Sequence, residues 1–135
     1  MNKILFLLVL TAVVAVVACA MNGSKVNDDL FSSVGNDDFE QVIADTAHVT
    51  LLDVRTSEEY ADGHIPGAML IDVKKDDFMA KARMLLPQNK TIAVYCRSGR
   101  RSVTAAEQLV ADGFKVINLK GGITAWVAAG KPIEK

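Results

Sequence analysis

Four short apolar runs alternate with segments of helical periodicity through most of this chain. The runs occupy residues 49–54, 69–73, 91–95 and 116–119. Each is too short for a buried helix, and their β-branched content reads as strand. Between them the apolar positions recur every three or four residues. Asn36 is placed to cap a helix with Asp37 and Asp38 in its first turn and Phe39, Val42 and Ile43 inward. Thr56 or Ser57 caps a second helical turn carrying Glu58 and Glu59, which Gly63 closes. Asp76-Asp77 open a third, with Phe78, Ala82, Leu85 and Leu86 on one face and Pro87 as its stop. Val103, Ala106, Leu109 and Val110 mark a fourth, ended by Gly113. The last covers residues 123–129 with Trp126 in the core, and Gly130-Lys131-Pro132 ends it. Such alternation predicts an α/β fold, a parallel sheet with helices on both faces. In that architecture ligands bind at the carboxyl ends of the strands.

The chain opens differently. Met1-Asn2-Lys3 is followed by an apolar run over residues 4–18, interrupted by Thr11. A membrane-spanning helix needs about 20 residues, so this run has the layout of a secretory signal peptide. Val16-Val17-Ala18-Cys19 is similar to a bacterial lipobox, in which the cysteine is lipidated and becomes the new N-terminus. Ala18-Cys19-Ala20 also fits ordinary signal cleavage, and an uncleaved anchor is the third option. The lipobox is preferred, because a cysteine at the end of the run has no other evident use. The expected layout is signal peptide 1–18, polar tether 19–35 and one domain 36–135. The domain would then be exported to the periplasm or cell envelope, touching the membrane through lipid on Cys19 alone.

Composition narrows the options. At 135 residues with 50% hydrophobic content, there is ample material for one core. The formal net charge is −1, and loss of residues 1–18, with Lys3 and no acid, makes it −2. No global field therefore recruits nucleic acid. Two cysteines, Cys19 and Cys96, make a disulfide framework improbable. Pairing Cys96 with His48 or His64 around a metal has no support from spacing, and no cofactor is called for.

The chemistry concentrates in Cys96-Arg97-Ser98-Gly99-Arg100-Arg101-Ser102. The preceding strand delivers Cys96 to its carboxyl end, and the loop feeds straight into a helix. Orphan N–H groups and the helix dipole there favour an anion, and Arg97, Arg100 and Arg101 add positive charge. These effects favour thiolate over thiol, so Cys96 is expected to be a nucleophile. Gly99 supplies a backbone angle that other residues dislike. Ser102 either caps the following helix or donates to the sulfur.

Three blocks together resemble one family. Leu52-Asp53-Val54-Arg55, with Glu59-Tyr60 and Gly63-His64-Ile65-Pro66-Gly67-Ala68, is similar to the N-terminal rhodanese signature. The loop from Cys96 to Arg101 is similar to the rhodanese active-site loop. Gly121-Gly122, Ala125-Trp126 and Gly130-Lys131-Pro132 resemble the C-terminal signature. The resemblance implies a single-domain sulfurtransferase in which Cys96 takes sulfane sulfur from a small anionic donor such as thiosulfate and holds it as a persulfide. Cyanide, an external thiol or a partner protein then removes it. The arginines attract the donor, Arg101 being the leading choice to orient its sulfonate, and loop N–H groups cradle the sulfur as an anion nest does. Asp53 and Arg55 either shape the pocket or, as preferred, tie the strand end to Glu58, Glu59 or His64. Because transfer from a thiolate needs no proton abstracted, His64 is expected to be structural. Fold relatives with phosphatase activity carry a cysteine–arginine loop one residue longer, so phosphoryl or arsenate chemistry is the alternative. A non-catalytic tethered binding module is a third possibility, against which the intact cysteine counts.

Overall fold

The computed structural model describes residues 30–135. Cys19 and the signal-peptide residues lie outside them. Five strands form one all-parallel sheet in the order β1-β5-β4-β2-β3. They are β1 (Ser32–Val34), β2 (Val49–Asp53), β3 (Met69–Leu70), β4 (Thr91–Tyr95) and β5 (Lys115–Leu119). The helices are α1 (Asn36–Ala44), α2 (Ser57–Asp62), α3 (Phe78–Leu85), α4 (Arg100–Ala111) and α5 (Gly122–Ala128).

Alternation along the interior strands splits the apolar side chains between two layers. On one face Leu52 of β2 and Ile92 and Val94 of β4 pack with Phe78 and Ala82 of α3 and Ala105, Ala106 and Leu109 of α4. On the other, Leu51, Ala93 and Tyr95 pack with Phe39 of α1 and Ile123 and Trp126 of α5. Phe39 meets Trp126 edge to face, with ring centroids 6.2 Å apart. The Trp126 indole N–H donates to the Pro132 carbonyl at 2.8 Å, which folds the segment after α5 back onto the domain.

The helices-on-both-faces architecture is as expected, and several local expectations need correction. The tether assigned to residues 19–35 ends too late, because Ser32–Val34 is already an edge strand on β5. Its short polar sequence gives little β signal, and pairing with one neighbour does not require any. Asn36 does not cap α1. Gly35 occupies the cap, while the Asn36 side chain donates to the Ala125 carbonyl at 3.2 Å, joining α1 to α5. The strand expected over residues 69–73 shrinks to Met69–Leu70, although Ile71 and Val73 still bond to the Asp53 and Val54 carbonyls. In α3 Leu85 is exposed, because the helix ends there and Leu86 turns into the core instead.

Candidate active site

Strand β4 runs buried through Tyr95 and ends beside Cys96, whose side chain is 1% exposed. The chain then turns through Arg97, Ser98 and Gly99 into α4 at Arg100. Gly99 carries the turn at φ 103°, a left-handed angle costly for any residue with a Cβ. A Cβ there would also lie 2.3 Å from the Lys120 carbonyl oxygen. The turn aims the Gly99 N–H at Cys96 Sγ, 3.1 Å away. The Ser102 hydroxyl, fully buried one helical turn along, lies 3.2 Å from the Gly99 carbonyl that it can donate to.

Burial by itself raises the Cys96 pKa. Hydrogen bonds from the Ser102 hydroxyl and N–H, and from the Gly99 and Ser98 N–H groups, outweigh it and bring the thiol below its ordinary value. Of the two roles considered for Ser102, the cap is not taken: Gly99 holds the cap position and Ser102 sits inside α4, where its hydroxyl is a donor near the sulfur. The shift runs in the direction of the expected thiolate, and what lowers the pKa is the set of short-range donors rather than the arginine charges.

A second element holds the loop from behind. The Ile123 and Thr124 N–H groups at the start of α5 donate to the Cys96 and Arg97 carbonyls at 2.9 and 3.1 Å. Gly122, at φ 62°, allows this approach, for a Cβ on it would fall 2.3 Å from the Arg97 oxygen. The Gly121-Gly122 block therefore works by letting two backbones touch. Sequence reasoning located the block without finding that contact.

The third element is the end of β2. Asp53 is fully buried and Arg55 is 5% exposed. The guanidinium grips the carboxylate through Nε (3.0 and 3.1 Å) and Nη2 (2.7 Å), and Nη2 also donates to the Gly63 carbonyl at 2.7 Å. Burial opposes the Arg55 charge, but its bonds to Asp53 prevail and raise its pKa. Asp53 and Arg55 are thus partners chiefly of each other rather than of Glu58, Glu59 or His64, and Arg55 also lines the groove beside Arg97. Tyr95 was not singled out from sequence. Its hydroxyl accepts the Ile65 N–H at 3.0 Å, and burial, with the nearby Asp53 charge, raises its pKa strongly.

His64 also sits where a structural residue would. Its ring stacks on Tyr60 at 3.7 Å, Nδ1 bonds the Tyr60 carbonyl, and Nε2 lies 3.3 Å from Glu134. The His64 and Glu134 backbones exchange two 2.8 Å hydrogen bonds. His48 is on the surface with Asp45, just ahead of β2 and at the far end of the sheet from Cys96.

Arg101 departs from expectation. Its two terminal nitrogens fork onto Glu59 at 2.7 and 2.8 Å, so its charge is already spoken for. Glu59 is also the third residue of α2, and its carboxylate accepts the Thr56 N–H while Thr56 Oγ accepts the Glu59 N–H. The Arg101 guanidinium, helped by the Thr56 bonds, takes Glu59 down to about 2 despite burial. A depressed carboxylate stabilises the fold fully above its ordinary pKa, and that contribution disappears as pH falls through about 2. The pair is therefore closed throughout the neutral range. Arg97 and Arg100 are exposed and form no ion pair among the described residues. Arg97 borders a groove of about 520 Å³ whose walls also include Arg55, Glu59, Asp62, Val127 and Ile133.

Residues 36–129 match the rhodanese-like domain. The chain belongs to the rhodanese-like family. It is 37% identical over 106 residues to a sulfurtransferase of Allochromatium vinosum, covering 77% of this chain and 95% of that one. Thiosulfate sulfurtransferase 18 of Arabidopsis thaliana is 37% identical over 95 residues, covering 62% of this chain and 70% of that protein. Among solved structures, a rhodanese-related protein from Thermoplasma volcanium superposes with a TM-score of 0.68 at 30% identity, over 76% of this chain and 97% of the other. At the level of the family, this rhodanese-like domain is a sulfurtransferase.

Proposed function

We propose that the protein transfers sulfane sulfur from a small anionic donor of the thiosulfate type to a thiophilic acceptor, through a persulfide on Cys96. The observation that carries this is the ring of loop N–H groups and the Ser102 hydroxyl around Cys96 Sγ at the head of α4. The thiolate attacks the outer sulfur of thiosulfate, the S–S bond of the donor breaks, and sulfite leaves with the bonding pair. The persulfide inherits the negative charge of the thiolate, and the loop N–H groups are oriented to stabilise it. Cyanide or a thiolate then attacks the terminal sulfur, producing thiocyanate or a new persulfide and returning Cys96 to thiolate. No proton is abstracted, consistent with His64 being held by Tyr60 and Glu134.

Phosphoryl chemistry would call for a longer loop closed by an arginine free to clasp a tetrahedral anion from the position that Arg101 holds. Four residues separate Cys96 from Arg101, and Arg101 is bound to Glu59. Incubation with thiosulfate followed by mass spectrometry is expected to show one added sulfur on Cys96. No added sulfur, together with aryl-phosphate hydrolysis, would replace this proposal with the phosphatase one.

Export extends the proposal. The apolar start and Val16-Val17-Ala18-Cys19 support a lipid anchor on Cys19. With all strands parallel, the amino end of β1 and the carboxyl end of β4 lie at opposite ends of the sheet. Cys19→Ala is expected to abolish fatty-acid labelling and leave turnover of the domain unchanged. Persistent labelling, or a Cys19–Cys96 disulfide in the wild type, would refute the anchor.

A further inference from the structure

We infer that Glu59 is a positioning residue that acts through Arg101, withholding this arginine from the donor and setting the charge felt by Cys96. Glu59 belongs to two structures at once. It closes the capping box of α2 with Thr56, and it receives both terminal nitrogens of Arg101 from the first turn of α4. The Arg101 side chain is about one-fifth exposed, so its orientation is set by this pair rather than by solvent. Bonding to Glu59 is the main cause of the raised Arg101 pKa, and the nearby Cys96 charge adds a smaller push in the same direction. Among the three loop arginines, Arg97 and Arg100 remain open to an incoming anion. Two open cations match a dianionic donor, and the third is neutralised in place.

Glu59→Gln separates the two jobs of Glu59. A glutamine oxygen still accepts the Thr56 N–H, so the capping box survives. The charge opposite Arg101 is gone. The freed guanidinium then favours the thiolate and adds a cation to the donor site. The expected results are a lower Cys96 thiol pKa, read from the pH dependence of iodoacetamide alkylation, and a KM for thiosulfate roughly three- to tenfold lower. Arg101→Ala leaves Glu59 uncompensated, so it is expected to move both quantities the opposite way. In the double variant the effects should largely cancel, returning the thiol titration close to that of the wild type.

A purely structural tie predicts otherwise: each variant would lower the melting temperature and leave the thiol titration unmoved. That outcome, or a KM that rises in Glu59→Gln, overturns the inference. The KM comparison rests on the sulfur-transfer proposal, whereas alkylation needs no sulfur donor. Opposed shifts in alkylation without persulfide formation would therefore uphold the role of Glu59 while refuting the proposed reaction. Should Glu59→Gln fail to fold, the thiol titration of Arg101→Ala decides alone.

Discussion

Cys96→Ser is expected to reduce thiosulfate:cyanide sulfur transfer to the uncatalysed background, a loss on the order of 10³-fold or more. The hydrogen-bond donors around the position remain, but a serine hydroxyl stays protonated at neutral pH and presents no anionic nucleophile. Even full stabilisation by Gly99 and Ser102 does not bridge the gap between an alcohol and a thiol. The substitution is nearly isosteric, so stability should change by no more than about 1 kcal/mol. Steady-state turnover and a thermal melt check the two halves. Substantial turnover in a folded Cys96→Ser protein would remove Cys96 from the mechanism.

The largest effect on stability is expected from Asp53→Ala. Asp53 is fully buried and Arg55 nearly so, and three guanidinium contacts of 3.1 Å or less bind them. Removing the carboxylate leaves a buried cation held mainly by the Gly63 carbonyl. Breaking one side of such a pair typically costs about 3–5 kcal/mol, measured as a shift in the denaturant midpoint. Asp53→Asn should cost less, because an amide oxygen can still accept the Arg55 backbone N–H that Asp53 now receives at 2.9 Å. A loss below about 1 kcal/mol in Asp53→Ala would show that water or another group takes over the Arg55 head.

Much of the site was legible because it is contiguous. The apolar run Thr91–Tyr95, the cysteine, the glycine turn and the helix starting at Arg100 follow one another in the chain. The left-handed angle at Gly99 and the donor function of Ser102 follow from local geometry. The cap of α2 was half legible: the sequence left Thr56 and Ser57 open, and the structure chose Thr56 by closing a box with Glu59 three positions on. Leu85 and Leu86 show the limit of periodicity, since the place where the helix stops decides which of two adjacent leucines faces inward.

Pairings between distant residues were not legible. Arg101 and Glu59 are 42 positions apart, and from sequence the arginine looked available to a substrate. Asn36 looked like a cap until Ala125, 89 positions away, claimed its side chain. The order of apolar runs and turn residues by itself determined the parallel α/β fold and the position of Cys96, because backbone propensity and burial act within a few residues. Tertiary structure decided which charges stay open, because an ion pair depends on which strand ends the sheet brings together. It seats β2 beside β4, and so lays the Glu59 capping box against the first turn of α4.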